Sequence, residues 1–297
     1  MRARAPGKVV ISGAYAVLEG APAIVAAVDR YAVADTALAP NFVTDEVEAA
    51  LGAGPVPWID ASALREGGRK LGLGSSAAIL VASLGAVELA RDPALDRPAL
   101  IARVFGPALS AHARAQGGGS GVDVASSTYG GVIAARRTPT GLDVSEVRLP
   151  DEVSIEILVA PDSASTRDLI RSVRALEARD PVAFAGLFGA QVEASERAAA
   201  ALSRADAAAF IAALSDQERA LSALGRAAGA NIVTPELERL AEAARRVGAA
   251  ALPAGAGGGD IALWVSAGAA LPAELSGFTR LEAALGVPGL AALDPGS

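Results

Sequence analysis

Gly72-Leu73-Gly74-Ser75-Ser76-Ala77-Ala78 runs straight into the apolar stretch Ile79-Leu80-Val81-Ala82-Ser83-Leu84. A glycine-rich loop that opens an apolar helix is suited to phosphate. The first backbone N–H groups of a helix have no partner within it and sit at the positive end of its dipole. Two glycines let the backbone approach a bulky anion without a Cβ in the way. Two serine hydroxyls can add hydrogen bonds or hold Mg²⁺, a hard cation that prefers oxygen. The same residues fit a plainer role, a tight turn with Ser75 or Ser76 as helix N-cap. The loop has neither the Walker spacing nor the G-x-G-x-x-G of dinucleotide binders.

Two further glycine-rich loops follow, Gln116-Gly117-Gly118-Gly119-Ser120-Gly121-Val122-Asp123 and Gly255-Ala256-Gly257-Gly258-Gly259-Asp260. The elements between them must position these loops. Lys8 to Ser12, Ala23 to Val28 and Tyr31 to Leu38 read as strands, and residues 40–70 as irregular chain. A helix is expected from Ser76 to about Ala90 and another from Pro98 to Ala115. The second loop enters a short helix, and Gly130 to Ala134 reads as a strand. Beyond Leu149-Pro150, Val153 to Ala160 alternates as a strand should. Ser165 to Ala178 reads as helix, and residues 181–229 as two long alanine-rich helices. Thr234-Pro235 opens another helix, with Thr as cap and Pro at the first position. Ile261 to Val265 follows the third loop as a strand. Strands and helices mix without regular βαβ alternation, which favours two α+β domains, 1–149 and 150–297.

Composition bounds the chemistry. At 297 residues, with 52% hydrophobic and 20% charged residues, the chain can bury a large core in about two domains. A net charge of −7 argues against nucleic acid as a partner. With no cysteine there is no disulfide, thiolate metal site or cysteine nucleophile. The single histidine, His112, rules out a multi-histidine metal site, and no G-x-S-x-G elbow supports a serine hydrolase. No signal peptide is read at the N-terminus. The apolar run Leu71 to Val87 is broken by glycine and serine, ends at Glu88 and is too short and polar to span a membrane. The expectation is a soluble, cytoplasmic protein without nucleic-acid or membrane partners.

The three loops, in this order, resemble the GHMP kinase superfamily. The first motif is Ala5-Pro6-Gly7-Lys8 with Gly13-Ala14-Tyr15-Ala16-Val17-Leu18-Glu19-Gly20. The second is Leu71 to Ala78, and the third Pro253 to Asp260. Within the superfamily the chain is most similar to the phosphomevalonate kinases. That likeness is carried by Tyr15-Ala16-Val17-Leu18, by Ala111-His112 with Ala115-Gln116-Gly117, and by Gly119-Ser120-Gly121-Val122-Asp123-Val124-Ala125 with Tyr129-Gly130-Gly131. Ser163-Ala164-Ser165-Thr166 and Val233-Thr234-Pro235-Glu236-Leu237 add to it. The resemblance implies an N-terminal domain like ribosomal protein S5 domain 2 and a C-terminal ferredoxin-like α/β sandwich. It also implies transfer of phosphate from ATP, with Mg²⁺, to a small acceptor lying between the domains.

By the same resemblance, Asp123 orients or deprotonates the acceptor oxygen, and Lys8 lies close to it, keeping it ionised. Asp123 could instead be a plain helix cap, and Lys8 a surface lysine. Ser76 and Asp123 are the implied Mg²⁺ ligands. Lys70, Gly72, Leu73, Gly74, Ser75, Ser76 and Ala77 form the implied nucleotide site, with Lys70 either reaching a phosphate or solvated. Tyr15, His112, Ser120, Gly121, Ser165, Thr166, Gly255, Ala256 and Gly257 are the implied acceptor contacts. Asp260 reads as a stabiliser of its loop.

Departures from the family are specific. Mevalonate kinases carry Glu-His where Ala14-Tyr15 stands, and a metal-binding glutamate near the position of His112. Neutral imidazole is a poor Mg²⁺ ligand, so His112 is either a phosphate or substrate contact or a structural histidine. The Gln116-to-Ser120 loop is one residue short and lacks a lysine common there. Leu252-Pro253-Ala254 stands where phosphomevalonate kinases have Lys-Pro-Ser. The expected reaction is ATP plus 5-phosphomevalonate giving ADP and 5-diphosphomevalonate, in the mevalonate route to isoprenoids. Mevalonate or another GHMP acceptor is the alternative, and a non-catalytic ligand-binding homologue is the rival of a different class. The expected partner is a phosphorylated mevalonate-type small molecule, with a homodimer left open.

Overall fold

The computed structural model describes residues 1–66, 68–160, 166–275 and 277–293, with residues 166 and 167 described by their backbone alone. In chain order the elements are β1 (Arg2–Ser12), a 3-10 turn (Ala16–Glu19), β2 (Ala23–Asp35), α1 (Asp45–Leu51) and β3 (Trp58–Asp60). A second 3-10 turn (Ser62–Leu64) leads to β4 (Arg65–Glu66) and β5 (Arg69–Lys70), then α2 (Ser75–Arg91), α3 (Arg97–Gln116) and α4 (Val122–Tyr129). Next come β6 (Val132–Thr138), β7 (Gly141–Glu146), β8 (Ser154–Val159), α5 (Thr166–Arg179), α6 (Pro181–Ser203), α7 (Ala207–Ala228) and α8 (Pro235–Arg246). The chain closes with β9 (Ala250–Pro253), β10 (Ile261–Ser266), β11 (Thr279–Leu281) and β12 (Ala291–Leu293). The class is mixed α+β, as the sequence leads one to expect.

These elements form two compact units. One takes Met1–Val9, Val25–Ile133 and the segment from Ala283; the other takes Val10–Ile24 and Ala134–Glu282. In the first, β12 pairs antiparallel with β1 (Arg2 opposite Leu293), β2 lies on the other side of β1, and β3 adds to β2 (Val33 opposite Asp60). Helix α2 is buried along nearly its whole length, from Ala77 to Leu84 without interruption. Its Gly85 is small for a reason: a Cβ there would lie 2.6 Å from Leu290 and 3.3 Å from the Ala3 methyl. Helices α1, α3 and α4 pack around α2.

In the second unit, β11-β8-β10-β9 form an antiparallel sheet, with Trp264 opposite Glu156 and Ala251. Its core gathers Trp264, Leu158, Phe184, Phe188, Leu224 and Leu240, joining this sheet to α6, α7 and α8. Burial of such large apolar side chains, at roughly 1.5–3 kcal/mol each, is the main force holding the unit together. Thr234 caps α8 through Leu237 N at 3.3 Å, with Pro235 in the first turn, as the sequence indicates.

Two local expectations fail. The strands expected at 23–28 and 31–38 are one continuous strand, β2. Asp29-Arg30 looks like a break, but both side chains are half-exposed and pair with each other at 3.2 Å, so the backbone runs on. Residues 40–70 are not irregular: they contain α1 and three short strands. Thr44 caps α1 through the Val47 N–H, and Asp45, Glu46 and Glu48 favour its first turn.

Candidate active site

Helix α2 begins with a cap that leaves its serines unused. Gly74 is the N-cap, in the left-handed region (φ 74°), and no side chain caps the helix. Neither Ser75 nor Ser76 is therefore an N-cap, and both are partly exposed. The side chains of Leu73 and Ala77 are buried, so these two residues offer the site only their backbone.

Strand β1 locks onto this loop. Lys8 N donates to Leu73 O at 2.8 Å. A Cβ on Gly7 would lie 2.7 Å from Leu64 Cδ2 and 2.8 Å from Leu73 O, so only glycine lets the strand come this close. A Cβ on Gly74 would meet the Lys8 side chain, 2.9 Å from Cε, which puts the lysine stem directly over the loop. Lys70 is exposed on β5, opposite Arg65.

Helix α4 brings Asp123 to the same place. Gly121 caps it in the left-handed region (φ 75°), and Ser127 Oγ donates to Pro6 O at 2.8 Å, tying the helix to β1. A Cβ on Gly121 would overlap the Leu109 side chain of α3. Ser120 Oγ accepts from Val122 N at 3.5 Å. Asp123 lies inside the first turn, where Oδ1 accepts from Val124 N at 3.0 Å. Its Oδ2 stands 3.3 Å from His112 Nε2. That nitrogen has no well-aligned hydrogen-bond acceptor among the described residues, so the contact is close without being a good hydrogen bond, and it is a charge pair when His112 is protonated.

Burial opposes ionisation of Asp123, whose side chain is only 22% exposed. The adjacent His112, the charge of Lys8 and the Val124 N–H outweigh burial and hold the carboxyl down at about 2. Burial likewise opposes protonation of His112, but Asp123, with a smaller contribution from Glu46, pushes it above its ordinary value. The site thus combines an ionised carboxylate, a lysine, a histidine whose protonation the carboxylate favours, and a helix N-terminus, all in the first unit.

Two residues to which the sequence assigns no role join this site. Glu46 of α1, 9% exposed, accepts from Gln116 Nε2 at 3.1 Å. The same nitrogen lies 3.5 Å from Ser76 Oγ. Thr44 and the acidic first turn could have flagged α1; no local pattern foretells a contact between positions 46 and 116.

In the second unit, Tyr15 is 3% exposed and donates its hydroxyl to Ala256 O at 2.8 Å, and burial pushes its phenol up. Gly258 N donates to Ile232 O at 3.0 Å, and a Cβ on Gly257, at φ 86°, would overlap that carbonyl. Gly255 is also at positive φ (115°), as are Gly258 and Gly259, so all four glycines of the loop use backbone geometry that other residues avoid. Asp260 O accepts from Ala160 N at 3.1 Å. Thr166 is the first residue of α5, and Ser165 lies outside the described residues.

Ser76 Oγ and the Asp123 carboxylate are hard oxygen donors of the kind Mg²⁺ takes. No group of three or more His, Cys, Asp or Glu is arranged to hold a metal ion among the described residues. Such a donor set suits a cation that keeps several waters and shares phosphate oxygens. Among the described residues no helix is long and apolar enough to cross a membrane.

Residues 56–131 match the GHMP kinases N terminal domain. The phosphomevalonate kinase of Streptomyces sp. (strain CL190) is 29% identical, over 86% of this chain and 87% of that protein. The mevalonate kinase of Archaeoglobus fulgidus is 27% identical, over 87% and 90%. The solved structure of Streptococcus pneumoniae phosphomevalonate kinase in complex with phosphomevalonate and AMPPNP superposes with a TM-score of 0.76 at 19% identity, covering 96% of this chain and 99% of that one. Motif order, fold and these matches agree: residues 56–131 match a GHMP kinase N-terminal domain, and the chain is similar to GHMP kinases over most of its length.

Proposed function

We propose that this protein transfers the γ-phosphoryl group of ATP to a phosphate oxygen of 5-phosphomevalonate, giving ADP and 5-diphosphomevalonate. The observation that carries this reading is Asp123, ionised between Lys8 and His112 beside the Gly72–Ala77 loop. A carboxyl group held at about 2 is a weak base for an alcohol but a good fixed negative charge. A phosphomonoester acceptor needs no strong base, because its second ionisation lies near ~6. The kinship with a phosphomevalonate kinase points the same way.

In this reading 1–149 carries the ATP-binding elements and 150–297 the C-terminal ones, while the compact units interleave in sequence, with Val10–Ile24 and the chain from Ala134 in the second and the segment from Ala283 in the first. The backbone of Gly72 to Ala77, with Ser75, holds the nucleotide phosphates, and Lys70 adds charge at the rim. Ser76 and Asp123 would hold Mg²⁺, which when bound offsets phosphate charge. Lys8 faces the transferred group and lowers the cost of gathering negative charge around it. Asp123, through the cation it would hold and Lys8 beside it, positions the acceptor oxygen that forms the new P–O bond as the bond to ADP breaks. His112 keeps Asp123 ionised, and Ser120 and Gly121 shape the loop around it. Tyr15 supports the third loop, where Gly255, Ala256 and Gly257, with Ser165 and Thr166, contact the acceptor.

The mevalonate kinase relative makes mevalonate the second candidate acceptor. An ADP-release assay with mevalonate, phosphomevalonate, homoserine and galactose separates the readings. Turnover on phosphomevalonate with a diphosphate product is expected. Turnover on another acceptor alone replaces the substrate, and no turnover on any removes the kinase reading.

A further inference from the structure

Gln116 is the last residue of α3, and its Nε2 is shared between two oxygens, Glu46 Oε1 at 3.1 Å and Ser76 Oγ at 3.5 Å. A carboxylate can only accept, so its contact with Glu46 fixes which end of the Gln116 amide is the NH₂. The group reaching toward Ser76 is therefore a donor. A hydroxyl that accepts from an amide must turn its own proton elsewhere, leaving its second lone pair and its O–H for what binds above the helix start.

Glu46 is well placed to hold that amide. Its carboxylate sits at the start of α1, held by Gln116, its own N–H and Thr44. The helix is anchored to α3 independently, because Arg114 donates to Ala49 O at 2.7 Å. Contact with Ser76 lies at the outer edge of hydrogen-bond range, where site contacts often stand before ligand closes them.

We propose that Glu46 and Gln116 act in series as positioning residues that set the Ser76 hydroxyl for magnesium-bound nucleotide. The inference rests on reading Gly72–Ala77 as the nucleotide loop. It predicts that a carboxylate on α1, far from the loop in sequence, governs nucleotide affinity without touching the nucleotide.

The test is isothermal titration calorimetry of the full chain with ADP, with and without Mg²⁺, needing no acceptor and no turnover. Gln116→Ala and Glu46→Gln should each weaken Mg·ADP by about 3- to 10-fold, the scale of one hydrogen bond. Because the two act in series, the double variant should be no weaker than Gln116→Ala alone. In a Ser76→Ala background neither change should have further effect. Arg114→Ala, which loosens the same helix contact without touching Ser76, should bind as wild type, and thermal melting reports whether each variant folds.

Wild-type affinity in Glu46→Gln and Gln116→Ala would overturn the proposal while leaving the loop reading intact. So would additive losses, or an equal loss in Arg114→Ala, which would make the pair a mere helix contact. Failure of the wild-type chain to bind ADP at all would overturn the loop reading and the proposal with it. Should Glu46→Gln fail to fold, Gln116→Ala with and without Ser76→Ala still decides the matter.

Discussion

The backbone N–H of Lys8 donates to the carbonyl of Leu73 at 2.8 Å, and the Lys8 side chain lies over Gly74. One residue thus fixes the edge of the glycine loop with its backbone and crosses the mouth of that loop with its stem. The arrangement depends on Gly74, both for space and for its left-handed φ of 74°. Gly74→Ala should cost ~1–2 kcal/mol from backbone conformation alone, seen as a Tm lower by a few degrees. It should also push the lysine aside. We expect weaker ADP binding and at least a tenfold fall in turnover, measured by calorimetry and ADP release; wild-type values in both would show that the loop tolerates a Cβ.

Asp123→Asn keeps the shape of the side chain and removes its charge. If the carboxylate positions the acceptor, kcat should fall by about 100-fold or more, the scale of a misplaced reacting group. Because the same carboxylate is assigned to Mg²⁺, Mg·ADP affinity should fall as well, while ADP binding without Mg²⁺ should change little. Full turnover in this variant would remove Asp123 from the role assigned to it.

Asp123 and His112 also link stability to pH. The Asp123 carboxyl is lowered from 3.8 to about 2, so its contribution is complete above about pH 4 and lost as pH falls through 2. His112 is raised above 6.5, so its contribution is complete below 6.5 and lost as pH rises through the higher folded value. The pair should therefore stabilise most between about pH 4 and 6.5. Melting curves across pH should show a gap between wild type and Asp123→Asn that is widest in this window. His112 is the sole histidine, so its ring signal by NMR is unambiguous. It should titrate above 6.5 in wild type and lower in Asp123→Asn, where burial acts with less opposition.

Tyr15→Phe tests the third loop. The phenol hydroxyl donates to Ala256 O at 2.8 Å in a part-buried setting. Leaving that carbonyl unpaired should cost ~1–3 kcal/mol. A lower Tm and a raised KM for the acceptor, with KM for ATP unchanged, would fit Tyr15 as a support for Gly255 to Gly257. A raised KM for ATP alone would move the loop to the nucleotide.

What the sequence made legible follows the range of the physics involved. The glycine turn that opens α2 could be read because its cues are local: the glycines, the serines and the following apolar run are contiguous. The α8 start at Thr234-Pro235 could be read for the same reason. Asp29-Arg30 misled because a charged pair inside an apolar run looks like a turn, and only the exposure of that stretch of β2 reveals otherwise. Asp123 as a cap was half right: it takes one N–H of its own helix, but Gly121 is the capping residue and the other carboxylate oxygen faces His112. The partnership of Glu46 with Gln116 was beyond reach, because it depends on packing α1 against α3 across 70 positions.

Lys8→Met separates the two parts played by the lysine. Methionine keeps an unbranched apolar stem to lie over Gly74 and leaves the backbone bond to Leu73 in place, so the fold and the loop geometry should survive. What is lost is the ammonium charge, one of the groups that keep Asp123 ionised and the cation assigned to the transferred phosphoryl. If charge is what matters, kcat should fall by about 100-fold or more, since preorganised electrostatic contacts at developing charge are worth that much, while Tm stays within a degree or two. If the stem is what matters, Lys8→Met should retain most activity and Lys8→Ala should lose it together with thermal stability. Only the first outcome is compatible with Lys8 acting on the phosphoryl group itself.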